Sequence, residues 1–181
     1  MATKYFALPE DFNDPPYLVP DQEENAGTFK AWLEREETII LKKLLGLQLY
    51  NDLQEAWDDT PPVSGIWFDL AGGAEYEFGN ILYEYKGLKS LLVPYLFSLW
   101  TKLEIKKFTH SGFATAVQDE NQLVNGAELI AKAYNDYSEQ VGGCREIENS
   151  LYGFLIANES DYGTGWLMDF EPPGNMNMFG I

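Results

Sequence analysis

The 181 residues predict an all-α (mainly) protein: a small helical bundle with one short β-hairpin and extended N- and C-terminal arms. Three observations lead there. Apolar residues recur at i, i+3, i+4 and i+7 spacing in several separate stretches, the period of a helix that buries one face. Clusters of Gly, Pro, Asp and Asn divide those stretches. A single region, IWFDLAGGAEYEFGNILYEY at 66–85, instead sets aromatic and β-branched residues around glycines, as a hairpin does. The resulting organisation is an arm at 1–27, a helical bundle domain at 28–160 with the hairpin near 70–85, and a second arm at 161–181. A 45% hydrophobic content, with 15% aromatic, fills a core and excludes disorder of the whole chain.

Residues 1–27 contain PEDFNDPPYLVPDQEENAG, where each residue before a proline is pushed toward extended geometry. This arm carries Tyr5, Phe6, Leu8, Phe12, Tyr17, Leu18 and Val19, so it must pack on its own subunit or on a neighbour. Thr28 is placed to cap a helix from Phe29, supported by Trp32, Leu33, Ile40 and Leu44. Gly46 interrupts that pattern, and a short second helix follows to about Trp57. The breaker DDTPPVSG at 58–65 ends it, and one helical turn around Trp67 precedes the hairpin.

The stretch KGLKSLLVPYLFSLW at 86–100 is the most hydrophobic in the chain. A membrane helix needs about 20 consecutive apolar residues. The run from Leu91 to Trp100 is half that and is bounded by Lys89 and Lys102, so it reads as a central core helix from about Gly87 to Phe108. Pro94 lacks an N–H and clashes with the preceding turn, which predicts a kink or the start of a second half. THSGFATAVQDENQ reads as a loop, Leu123–Val141 as a helix ended by Gly142 and Gly143, and Cys144–Asn158 as the last helix. The C-terminal DYGTGWLMDFEPPGNMNMFGI mixes turn residues with large apolar ones. A tail of that composition is either folded back on the domain or held by a partner.

The chain holds 29 acidic and 12 basic residues, a net charge of -17. That balance opposes gripping DNA from outside, where Lys and Arg neutralise phosphates. Five of the twelve basic residues, Lys86, Lys89, Lys102, Lys106 and Lys107, flank the central helix. They form either a solvated rim or a surface for acidic partners, sister subunits included. The start, MATKYFALPEDF, lacks the basic and apolar regions of a secretory signal, and the chain is expected to be made in a cytoplasm.

The chemical motifs carry no reaction. The one histidine, His110, and the one cysteine, Cys144, lack the surroundings of a nucleophile and base, and Cys144 has no internal disulfide partner. AGGAEYEFG lacks the Lys and Ser/Thr of a phosphate loop. DENQLVNGAE does not place its glycine and glutamate where a calcium loop needs them. No cofactor, no metal and no catalytic residue are expected, and the prediction is a non-enzyme.

The order of these signals resembles a known group. FKAWLEREETIILKKLLGLQLYNDL at 29–53, followed by WFDLAGGAEYEFGNILYEYKGLKSLLVPYLFSLW at 67–100, is similar to the head-to-tail connector (adaptor) proteins of tailed bacteriophages, of the type found in phages of Bacteroidetes hosts. The shared order is an acidic helix ending in L-L-G-x-x-L-Y, a tryptophan, a G-G-x-x-Y hairpin and an apolar helix opened by K-G-L. The resemblance covers about residues 29–140. The proline in the central helix and the long aromatic tail depart from it. It implies a structural virion protein of the neck, between capsid and tail. Such a subunit would form a ring, commonly of twelve, below the portal protein, extend the DNA channel and dock the tail or further neck proteins.

On that reading the portal or tail contact is expected at Trp166, Leu167, Met168, Phe170, Met176, Met178 and Phe179. The subunit interface is expected to set Lys86, Lys89, Lys102, Lys106 and Lys107 against Glu34, Glu36 and Glu37 of a neighbour. DNA would pass through without specific binding, since an acidic wall repels phosphates over about a Debye length of 8–10 Å. The alternative, from another class, is an acidic DNA mimic that inhibits a host nuclease or restriction enzyme. A small glycan-processing enzyme is a third reading, resting on carboxylates and tryptophans alone.

Overall fold

A computed structural model describes residues 4–19, 26–57, 62–105, 126–168, 170, 171, 173, 174 and 176. It is mainly helical with one two-stranded antiparallel sheet, the expected class.

The first helix, α1 (Ala26–Ala56), is two helical segments that meet at Gly46, whose φ of 70° and ψ of 165° suit glycine and interrupt the helix where expected. Thr28 lies inside α1 and does not cap it. Leu33, Leu41, Leu44 and Leu45 face the core before or at the bend, and Leu53 after it. Helix α2 (Ile66–Gly72) is longer than the single turn expected around Trp67 and leads into β1 (Ala74–Phe78) and β2 (Ile81–Tyr85). Gly79 and Asn80 both take positive φ, 60° and 62°, a two-residue turn whose twist matches the strands. The hairpin's base is a glycine neck. A Cβ on Gly73 would collide with the Tyr85 carbonyl oxygen, and one on Gly87 would lie 2.6 Å from that of Ala71.

Helix α3 (Leu88–Ile105) is the axis of the core, with Leu88, Leu91, Leu92 and Leu96 fully buried. It runs as one helix through Pro94, which is buried; the start of a second half expected there is not found. α3 packs most extensively on α4 (Gly126–Val141). The expected helix at 144–158 is shorter: a 3-10 turn at Gly143–Arg145 precedes α5 (Leu151–Ala157) and α6 (Glu159–Tyr162). Positive φ at Arg145 and Asn149 breaks the helical path there. Ser150 then caps α5, its Oγ accepting from the Gly153 N–H at 3.0 Å. The expected loop at 109–122, with His110, and residues 58–61 lie outside the described residues.

Both arms pack on their own subunit. In the N-terminal arm Phe12 is fully buried and meets Phe29 edge-on at 5.5 Å. The Lys4 N–H donates to Gln54 Oε1 at 2.7 Å, the Gln54 amide returns a bond to the Lys4 carbonyl at 3.0 Å, and the Tyr17 hydroxyl reaches Asp136 on α4 at 2.8 Å. In the C-terminal arm Trp166 and Phe170 are buried, stacked edge-on at 5.5 Å. Ser138 on α4 donates to the Pro173 carbonyl at 3.0 Å, and Asn135 exchanges two bonds with the Met176 backbone.

Candidate interaction surfaces

Several of the residues expected on the two sides of a subunit contact are engaged within their own chain. Glu37 is 1% exposed, and its two carboxyl oxygens accept the backbone N–H groups of Phe6 and Ala7 at 2.8 and 3.0 Å. It ties the N-terminal arm to α1 and is not available to a neighbour, a correction with a simple cause: it lies on the α1 face that the arm covers. Burial pushes its carboxyl up to about 7, the two N–H bonds pull it back, and the charges of Glu34 and Asp11 push it further up. Glu34 pairs with Lys30 one turn away at 3.3 Å, and Glu36 with Arg35 at 2.7 Å. Lys89 bonds Asp11 of its own arm at 2.5 Å. Lys86 is exposed, Lys102 is half-buried, and Lys106 and Lys107 lie outside the described residues.

The expected portal or tail contact divides as well. Trp166 and Phe170 are core residues of their own subunit, because Tyr152 on α5 packs against both rings, at 5.8 and 5.2 Å. Leu167 and Met176 are half-buried. Met168 alone of the described group stands out, 94% exposed. Met178 and Phe179 lie outside the described residues.

Clefts open at three places among the described residues. The first, of about 360 Å³, opens between α1, α3, α4 and the C-terminal arm. Its floor is apolar, with Leu44, Leu99, Ile130 and Tyr137, and its rim carries Lys43, Lys102 and Glu171. Burial pushes the Tyr95 hydroxyl in its wall up to about 12, so that wall stays neutral. The second cleft, of about 600 Å³, lies between the hairpin (Phe78, Ile81, Tyr83) and the segment Arg145–Glu148. The third, of about 560 Å³, is acidic: Glu84, Asp136, Glu139, Glu146 and Glu148 surround Lys86 and Tyr17.

The hairpin itself has two unlike faces. Paired residues share a face, so Tyr76–Tyr83 and Phe78–Ile81 form an apolar side while Glu75–Glu84 and Glu77–Leu82 form the other. Near its base the apolar side packs on α5, where Tyr85 stacks on Phe154 at 4.7 Å. Toward the turn both sides carry exposed apolar groups, Phe78 and Ile81 at 37% and 55% on the apolar side and Leu82 at 64% on the other. Sequence reasoning identified this hairpin but assigned it no binding role. The signal was present in the apolar pair flanking a Gly-Asn turn, which a chain covering its own sheet would make polar. Lys43 was also missed, since nothing in its neighbourhood in the chain points to a cleft.

Among the described residues no group of His, Cys, Asp and Glu is placed to hold a metal ion, and no helix is long and apolar enough to cross a membrane. No protein-family model, curated protein or solved structure matches the chain.

Proposed function

We propose that this chain is a structural subunit of a phage head-to-tail connector, a ring below the portal that continues the DNA channel and receives the tail. The observation carrying this reading is the pair of unlike surfaces at separate places on the subunit: a projecting apolar hairpin end and a lysine-rimmed apolar cleft. A ring is built from heterologous contacts, which require two different surfaces on every copy. The order of sequence elements supports the same reading, and the net charge of -17 suits a wall past which DNA slides. Among the described tail residues expected to meet the portal or tail, Met168 is the exposed one.

Electron microscopy of the protein alone and mixed with portal rings tests the proposal. Rings, or an added layer on the portal, are expected, with Met168→Asp weakening the layer on the portal while leaving the fold intact. A chain that stays monomeric and leaves the portal bare would end this reading.

The acidic cleft favours a second reading, a DNA mimic, because its five carboxylates are gathered on one face. That reading predicts a complex with a DNA-cleaving enzyme that salt dissociates, and no rings.

A further inference from the structure

We propose that the hairpin end of one copy docks into the cleft between α1, α3 and α4 of the next copy, as the contact that builds the ring. The proposal rests on the connector reading for the ring itself and adds the surfaces that meet. The occupant is fixed by chemistry on both sides. The hairpin offers exposed Phe78 and Ile81 on one face and exposed Leu82 beside Glu77, Glu75 and Glu84 on the other. The cleft offers an apolar floor rimmed by Lys43 and Lys102, with Glu171 the one acid among its described lining residues. Neither Lys43 nor Lys102 has an ion-pair partner among the described residues, nor do Glu75 and Glu77. The acidic face of the hairpin and the basic rim are thus complementary on a chain whose overall charge would drive copies apart, and such complementarity fixes register and orientation.

Placement agrees with a head-to-tail contact. The hairpin joins α3 at its first residue through Lys86 and Gly87, while Leu99 and Lys102 line the cleft in the helix's last two turns. From Gly87 to Lys102 a helix rises about 22 Å at 1.5 Å per residue. The two surfaces therefore sit toward opposite ends of α3 and share no lining residue, so a hairpin has no route to its own cleft without unfolding its neck. Each copy gives with one end and receives with the other, and repetition of that step closes a ring. The glycine neck supports this geometry, because backbone packed against backbone at Gly73 and Gly87 holds the hairpin's direction.

The test is a charge exchange between the two surfaces, read by analytical ultracentrifugation in solution and by electron microscopy on portal rings. Two variants are made, Lys43→Glu with Lys102→Glu, and Glu75→Lys with Glu77→Lys. Each alone is expected to lose self-association at least tenfold, with an unchanged circular dichroism spectrum. Mixed in equal amounts they are expected to recover it, since each hairpin then finds an oppositely charged cleft on the other variant. Recovery on mixing cannot come from a contact within one chain. Wild-type rings indifferent to both variants, or variants that stay apart when mixed, would overturn the hairpin docking while leaving the connector reading in place. A wild-type chain that neither self-associates nor layers on the portal would remove both.

Discussion

Glu37 shows how a single acidic residue in a very acidic chain becomes structural. Its carboxyl is enclosed, accepts two arm N–H groups, and titrates near 7, where an exposed glutamate does so near 4.5. The folded protein therefore holds this proton over a pH range in which the unfolded chain has released it. Stability from this group is fully present below about 4.5 and is lost as pH rises through 7, a difference of about 3 kcal/mol. Thermal melts should accordingly show the wild type gaining on Glu37→Gln as the pH is lowered from 8 to 6. Parallel curves for the two proteins over that range would contradict it. Gly153 makes a second residue-scale prediction. A Cβ there would collide with the Ile147 carbonyl and the Tyr76 hydroxyl, which itself bonds that carbonyl. Gly153→Ala should cost about 2 kcal/mol or more in denaturant unfolding, whereas Gly165→Ala, which meets nothing, should cost almost none.

At the scale of elements, α3 is the informative case. Its apolar residues wrap most of the helix, and the structure buries them from several sides: α4, α2, α1 and the arm's turn at Pro9–Phe12. That much was legible from periodicity. Pro94 was legible only as a conflict, because a sequence cannot weigh a lost hydrogen bond against the packing that keeps a helix continuous. The competing magnitudes give a prediction. Proline costs about 3 kcal/mol against alanine inside a helix, while removing its buried ring methylenes forfeits about 1.6 kcal/mol. Pro94→Ala should therefore stabilise the protein by about 1 kcal/mol, seen as a higher urea midpoint with an unchanged slope. The segment from Cys144 to Asn149 was read as the start of the last helix, with Ile147 taken together with Leu151, Phe154 and Leu155. What decides its path is long-range: Tyr76 of the hairpin receives the Ser150 N–H, and Asn149 accepts from Glu84. No local pattern reports such contacts.

For the whole molecule, the arms change what truncation means. Their composition announced that they pack on something, but the choice between self and neighbour depends on which apolar face lies open, and a sequence does not show that. Phe12, Val19, Trp166 and Phe170 settle it by burial in their own subunit. Removing residues 162–181 is thus expected to abolish cooperative unfolding, because Tyr162, Trp166 and Phe170 are each core side chains worth about 3–5 kcal/mol. Retention of a sharp thermal transition after that deletion would contradict the packing described. The candidate surfaces were the least legible part. The lysines near α3 and the acids of α1 stand out by charge, yet Glu34, Glu36 and Lys89 find partners within their own chain. The hairpin end and Lys43 become surfaces only once the fold has set them beside open space.

The hydrogen bond from Tyr17 to Asp136 spans 119 positions along the chain. During synthesis the N-terminal arm emerges before α4 and stays without that partner until α4 has left the ribosome. Sequence-distant contacts of this kind are made late and slow the folding of the chains that depend on them. A segment translated early is therefore sealed late, and a ribosome-bound chain lacking α4 should leave that arm open to protease.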